Sequence, residues 1–382
     1  MSSNMKKYNE NNERIKRKYL TFLKQAKGQN EASIDSVASA ISRFETYNNC
    51  KDFKAFHFEQ AIHFKKYLAK QTHHKTGKPL SLATLNSTCR HLKAFVQWLS
   101  QETGYKSRIS YADAEYFNLS EKDTRTAKAK RKQPVATLEQ IKHVLAVMPD
   151  SSPIEKRNKA IIAFTLLTGA RDSAVASFKI KHTDFGNDSI YQDARDVKTK
   201  FSKTFTTYFF PVGDEVRGIV FDWVEYLKND CLFDNDDPLF PKTRMGQDSD
   251  HNFKSIGLSK EHWSNASAIR KIFNAAFTLA DLPNFNPHSF RNTLVTLGQK
   301  MCQTPEEFKA WSQNLGHEGV LTTFYCYGEV QEGRQADIFQ RLKEPRTSTS
   351  QNTDFVALAK ALIKEMTFLI PLFRLNQKRN LI

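Results

Sequence analysis

The chain has 382 residues, enough for two domains with cores of their own, and 57 Lys and Arg against 41 Asp and Glu leave a formal net charge of +16 at pH 7. That field suits a polyanion, while the lack of any run approaching twenty apolar residues, or of a signal-peptide pattern at the N-terminus, argues against a membrane span or export. Five scattered cysteines without a CxxC pair argue against a disulfide framework or zinc site, and the absence of a Walker loop and of HExxH argues against an ATP-driven motor or zinc hydrolase.

Residues 1–12 are polar and are expected to be disordered. Residues 13–105 read as helical, with patterns at about 13–27, 31–47 and 57–71. The clearest run is Leu82, Leu85, Cys89, Leu92, Val96 and Leu99, whose spacings alternate three and four, with Ser81 placed to cap it. A helical bundle over 13–105 follows. Residues 106–135 break the periodicity. Their basic end, with Lys128, Lys130, Arg131 and Lys132, stops at Pro134 and predicts a linker able to lie along phosphates.

From 136 to 345 the patterns are mixed. Leu138, Ile141, Val144 and Leu145 predict a helix ending near Pro149, and 154–167 predict a second one ending at Thr168-Gly169. Residues 176–212 look extended, with Gly186-Asn187-Asp188 as a turn. Helices are predicted at about 213–228, 265–280, 288–302 and 304–314, and 243–264 reads as a polar, irregular surface insertion. The fold class is therefore mainly α with a small antiparallel β-sheet. A tail over 346–382 contains an amphipathic helix running from Phe355 to Ile370 and ending at Pro371, suited to its own domain or to a neighbouring protomer.

Two arginines, two histidines and a tyrosine occur in order: Arg171 in Thr168-Gly169-Ala170-Arg171, His288 and Arg291 in His288-Ser289-Phe290-Arg291, His317 after Leu315-Gly316, and Tyr327 ten residues later. These groups can attack a phosphodiester without a metal. Guanidinium forks hold two nonbridging oxygens and keep their charge, so Arg171 and Arg291 are candidates to stabilise the crowded transition state. A free tyrosine, with a pKa near 10, is a poor nucleophile at neutral pH; nearby arginines favour the phenolate and His288 is placed to take its proton. His317 is a candidate for a phosphate oxygen. The departing 5′-alkoxide needs a proton, and the hairpin Val197 to Thr204 offers Lys200, then Lys198, then Lys203. Each piece alone is weak, HxxR above all; the ordered set is specific. For a DNA substrate, Arg90, His91 and Lys93 on the last helix of the first bundle are further candidates for contact, with Lys128, Lys130, Arg131 and Lys132.

On these residues the chain resembles the tyrosine recombinases of the phage-integrase family. The match rests on Thr168-Gly169-Ala170-Arg171, the lysine hairpin ending near Phe210-Pro211, His288-Ser289-Phe290-Arg291, Leu315-Gly316-His317 and Thr322-Thr323 leading to the tyrosine. The resemblance covers about 136–345; the first bundle fits the family's core-binding domain in length and helicity. It implies a catalytic domain over 136–345 and a C-shaped clamp on double-stranded DNA. It also implies a 3′-phosphotyrosyl intermediate, no cofactor, a homo-tetramer on paired sites, and often a C-terminal segment exchanged between protomers. Integration or excision of a mobile element, accessory DNA-bending or directionality proteins as partners, and a cytoplasmic, nucleoid-associated location are the corresponding expectations. The sequence departs from the family in two places. The family's usual tyrosine position, nine after the last histidine, holds Cys326, between Tyr325 and Tyr327; Tyr327 is preferred and Tyr325 is the alternative. The acidic residue expected three after the first arginine is Ala174, which leaves Asp172 as the candidate support for Arg171. A type IB topoisomerase-like enzyme and a DNA-binding protein with a decayed active site are the alternative functions.

Overall fold

The computed structural model describes residues 8–73, 76–129, 134–247 and 252–317, and the chain divides into two compact units, Met1–Lys132 and Gln133–Ile382. Both are dominated by helices, and the second adds small antiparallel sheets.

The first unit contains α1 (Glu10–Thr21), α2 (Glu31–Tyr47), α3 (Phe58–Ala69), α4 (Leu82–Leu99) and α5 (Glu121–Lys128). Its core is aromatic. Phe44 meets Phe64 edge-on at 5.2 Å and Phe117 at 5.8 Å, and Tyr19 packs 5.1 Å from Phe95. The α4 periodicity buries Leu85, Cys89, Leu92, Val96 and Leu99, and Ser81 caps the helix by accepting from the Thr84 N–H.

Two expectations for this unit need correction. Within the segment read as disordered, Asn9 caps α1 through Asn11 and Asn12, and buried Asn12 receives the Phe53 N–H and donates to the Lys51 carbonyl. A polar residue that satisfies two backbone groups fixes a chain end that apolar patterning does not reveal. Much of the segment read as a linker over 106–135 is likewise built into the unit. Ile109, Ala114 and Phe117 join its core, Lys65 bonds the Asn118 carbonyl at 2.6 Å, and Ser120 caps α5. These residues, with Leu119 packed against the same core, anchor it. Lys130, Arg131 and Lys132 lie outside the described residues.

The second unit comprises α6 (Leu138–Val147), α7 (Pro153–Thr168), α8 (Asp172–Val175), β1 (Thr183–Asp184), β2 (Ser189–Gln192), β3 (Phe205–Tyr208), α9 (Asp214–Asn229), β4 (Thr243–Gln247), β5 (Phe253–Leu258), α10 (Ser267–Leu279), α11 (Pro287–Met301) and α12 (Pro305–Asn314). Helix α7 is its axle. Every residue from Ala160 to Thr168 is buried, so the helix is enclosed by its neighbours rather than lying on a surface. A reciprocal cap between Ser152 and Glu155, with Pro153 at the first turn, starts it, and Gly169 at φ +60° ends it. Phe164 stacks edge-on with Phe178 and Phe240 at 5.3 and 5.2 Å.

Strands β1, β2 and β3 form one antiparallel sheet in that order, with Ile190 opposite Thr183 on one side and Thr207 on the other. Ile190 and Thr207 are fully buried, and Gln192 bonds the Thr207 hydroxyl at 2.9 Å. The stretch 243–264, read as irregular, instead holds the hairpin of β4 and β5, with a bulge at Arg244/Met245. Two glycines and that bulge erase the alternation by which a strand is recognised. Buried Arg157 of α7 ties the hairpin down through the Pro241 carbonyl and the Thr243 hydroxyl, both at 3.0 Å, and its guanidinium lies 5.0 Å from the Trp263 ring.

Helices α11 and α12 close on each other at Gly298, where an added Cβ would lie 2.6–2.8 Å from the Trp311 indole, whose Nε1 donates to the Leu294 carbonyl at 3.0 Å. Gly298→Ala is therefore expected to lower the unfolding free energy by about 1–3 kcal/mol through overpacking. Gly218→Ala, in α9 where an added Cβ meets nothing within 4 Å, should raise it by roughly 0.5–1 kcal/mol. Urea unfolding of the two variants checks the pair, and a neutral Gly298→Ala would contradict the packing.

Candidate active site

The second unit brings together five of the six residues singled out as catalytic, and Arg291 is the hub. It lies on α11 with 2 % of its surface exposed. Its Nη1 donates to the Gly169 carbonyl at the end of α7, its Nη2 donates to the Leu315 carbonyl at the end of α12, and the same Nη2 is 3.1 Å from His317 Nε2. One side chain thus satisfies the ends of two helices and touches a candidate histidine. Gly169 makes this possible. A Cβ there would lie 2.9 Å from Leu315 Cδ2 and 3.0 Å from Leu294 Cδ1, so the positive φ and the close approach both call for glycine.

Arg171, two residues past Gly169, takes extended backbone as the N-cap of α8 and is half-buried. Asp172, the candidate support for Arg171, accepts from Arg270 Nε of α10 at 2.7 Å through Oδ2 and from the Ser173 N–H through Oδ1. Arg270 belongs to the site's surroundings and carries no motif that would have marked it.

His317 is placed by a device the sequence also hides. Asn314, the last residue of α12, accepts from the Tyr208 N–H at 2.7 Å and donates to the Tyr208 carbonyl at 2.8 Å, pairing with β3 as another strand would. The Thr207 hydroxyl bonds the Asn314 carbonyl at 3.1 Å. Gly316 then turns at φ +69° with the Phe205 ring so close that a Cβ would lie 2.6 Å from it. His317, 8 % exposed, follows directly.

The electrostatics follow from this crowding of cations. Burial, then Arg291, Arg171, His288 and Lys200, push the His317 pKa down to about 3. An arginine only donates, so His317 Nε2 accepts from Arg291 and Nδ1 carries the proton of a neutral ring. His288, in the first turn of α11, is exposed to solvent yet partly desolvated by its surroundings. That desolvation is the first cause of a pKa below the ordinary histidine value; Arg291, Arg171 and Lys200 lower it further, and Asp172 opposes them.

The lysines sit on the loop between β2 and β3. Lys200 is exposed near its tip, and its charge reaches both His288 and His317. Lys198 turns toward the Ser264 carbonyl at 3.5 Å, and Lys203 is half-buried just before β3. Tyr327, with Tyr325 and Cys326, lies outside the described residues, as does the tail over 346–382. In the first unit Arg90 and Lys128 are exposed, whereas Lys93 is engaged by Glu115 at 2.7 Å and by Asn118. His91 is half-buried in a shallow groove with Arg43, Ser87 and Thr88, and its pKa is lowered by desolvation and then by Arg90.

The sequence model of the phage integrase family matches residues 134–334. A tyrosine recombinase XerC of Lactobacillus delbrueckii subsp. bulgaricus is 24 % identical over 251 residues, 65 % of this chain and 72 % of the relative. A tyrosine recombinase XerC of Halalkalibacterium halodurans is 22 % identical over 338 residues, 86 % of this chain and 96 % of the relative. Among solved structures, a lambda integrase dimer bound to a COC′ core site aligns at a TM-score of 0.55 with 12 % identity, covering 89 % of this chain and 99 % of that one. A XerH site-specific recombinase bound to palindromic difH substrate aligns at a TM-score of 0.55 with 17 % identity, covering 86 % and 85 %.

The depressed pKa of His317 has a sign that can be tested. An unfolded histidine titrates near 6.5, so between that pH and about 3 the unfolded chain binds a proton that the folded chain refuses. The stability His317 contributes is complete above the unfolded pKa and is lost as pH falls toward the folded value. Between pH 6 and 4 its share of the slope approaches about 1.4 kcal/mol per pH unit. Urea unfolding across this range should show a flatter pH dependence in His317→Gln than in the wild type; parallel profiles would contradict the assignment.

Proposed function

The chain belongs to the phage integrase family, the tyrosine recombinases, and from that premise we propose that it cuts and rejoins DNA through a covalent 3′-phosphotyrosyl intermediate. The observation that carries this reading is the convergence of Arg171, Arg291, His288, His317 and Lys200 in one basic, partly enclosed site. Such a site is suited to a phosphodiester passing through a more negative transition state.

In the proposed reaction the Tyr327 Oη attacks the scissile phosphorus. A P–O bond to tyrosine forms, the bond from phosphorus to O5′ breaks, and the phosphate charge is held by arginine. Arg291 commits three of its five N–H donors to Gly169, Leu315 and His317, so at most two can face a phosphate. Arg171, half-buried at the start of α8, binds the phosphate beside it. His288 accepts the phenol proton, a role helped by surroundings that disfavour its protonated form before the reaction. Neutral His317 presents its Nδ1–H to a nonbridging oxygen. Lys200 supplies the proton for O5′. Reversal with a second 5′-hydroxyl reseals the strand, since the ester keeps the energy of the broken bond.

Assembly follows the same reading. Two duplex sites are brought together by four copies of the chain, with accessory DNA-bending or directionality proteins selecting the direction. The context is integration or excision of a mobile element, in the cytoplasm at the nucleoid. Among the described residues no helix is long and apolar enough to cross a membrane. The surface of the first unit, with Arg90 and His91, contributes to holding the duplex, and the basic residues Lys128, Lys130, Arg131 and Lys132 track its phosphates.

The test is relaxation of supercoiled plasmid in EDTA with detergent trapping of protein–DNA adducts. Wild type is expected to give both. Tyr327→Phe should abolish both, Tyr325→Phe should retain them, and Lys200→Ala should slow cleavage by about 100-fold or more. The opposite pattern for the tyrosines would move the nucleophile to Tyr325. Loss with Lys203→Ala and not Lys200→Ala would move the general acid. A wild type that binds DNA yet yields no adduct on its own recombination site would overturn the enzymatic reading.

A further inference from the structure

The loop between β2 and β3 has a firmly held base and an unusual tip. At the base Val197 is buried at 2 % exposure. The Lys198 N–H donates to the Ser177 hydroxyl at 2.8 Å, and Asp196 is bracketed by Lys179 at 3.2 Å and Lys181 at 3.1 Å. Across the loop the Ala194 N–H bonds the Thr204 hydroxyl at 3.0 Å and the Thr199 hydroxyl bonds the Lys203 carbonyl at 2.7 Å. At the tip Phe201 is 75 % exposed. Its backbone is left-handed at φ 61°, as is that of Ser202 at φ 51°. A bulky side chain rarely adopts this conformation, and here it turns the ring out of the protein, with Lys200 Nζ 4.8 Å from its centre.

A large apolar ring thus stands in water at the end of a braced arm, flanked by Lys198, Lys200 and Lys203. The lysines match a phosphate backbone in charge. A phenyl ring has no hydrogen bond to offer, and on duplex DNA the large apolar surfaces are the faces of the bases. We propose that Phe201 is a wedge that enters the base stack of duplex DNA beside the phosphate bound at Arg171 and Arg291, partly unstacking and unwinding it. This rests on the DNA-recombinase reading above and adds a contact that the chemistry does not require. The lysines anchor the arm to the backbone while the ring separates neighbouring base pairs. The strained tip keeps the ring presented before DNA arrives, so less ordering is needed on binding. The partial unstacking loosens the duplex where strands are to be exchanged.

Unwinding can be read on plasmid DNA without knowing a target sequence. A nicked circular plasmid is saturated with protein carrying Tyr325→Phe and Tyr327→Phe, which removes both candidate nucleophiles, then sealed with DNA ligase and stripped of protein. The topoisomers are compared with those from ligase alone. The double variant is expected to lower the linking number. Adding Phe201→Ala should return the distribution to that of ligase alone at occupancy matched by gel shift, and Phe201→Trp should preserve the shift. An unchanged shift with Phe201→Ala at matched occupancy, or no shift from the double variant although it binds, overturns the wedge and leaves the recombinase reading standing. Failure of the double variant to retard the plasmid at all would instead overturn the DNA reading on which the wedge rests.

Discussion

One buried guanidinium organises the catalytic unit. Arg291 reaches from α11 to the carbonyls that end α7 and α12 and to the ring of His317. Helix ends leave carbonyls without partners, and a buried carbonyl left so is costly. A buried cation is costly as well unless it finds acceptors. Each problem resolves the other here. The same bonds that stabilise the fold hold Arg171, two residues past Gly169, and His317, two residues past Leu315, against a common centre.

The cost of the arrangement appears in the histidines. Burial first, and then the surrounding cations, disfavour the protonated forms of His288 and His317. Both rings are thereby disposed to stay neutral, His288 as a candidate proton acceptor and His317 with its Nδ1–H as a donor. The positive field that would bind the phosphate thus also sets the protonation of the groups around it, and Asp172, engaged by Arg270, moderates that field at its edge.

Much of the helical framework was legible because its signals are local. The three-four spacing in α4, the caps at Ser81 and Ser152, and Gly169 after α7 each specify an element from a few neighbouring residues. The candidate site was legible for a related reason. Arg171, the His288–Arg291 pair and His317 are each weak alone, but their order along the chain with short local contexts is specific. What was not legible depends on partners far apart in the chain. Asn314 pairs with Tyr208 across 106 residues and Arg270 with Asp172 across 98, and neither carries a pattern. The β4–β5 hairpin was missed because glycine and a bulge break its alternation. The segment after residue 105 was read as a linker because its core residues Ile109, Ala114 and Phe117 lie just before or within a short 3-10 turn, Tyr111–Phe117, and follow neither the helix nor the strand period.

The central claim is that Arg291 serves the fold and the phosphate together. The most direct measurement sets Arg171→Lys beside Arg291→Lys and reads melting temperature and yield of trapped protein–DNA adduct on the same samples. Lysine keeps the charge and loses the fork. The account predicts that both variants lose the adduct and that Arg291→Lys melts at a lower temperature than wild type. An Arg291→Lys variant that melts like wild type, or either variant with an undiminished adduct, would contradict it.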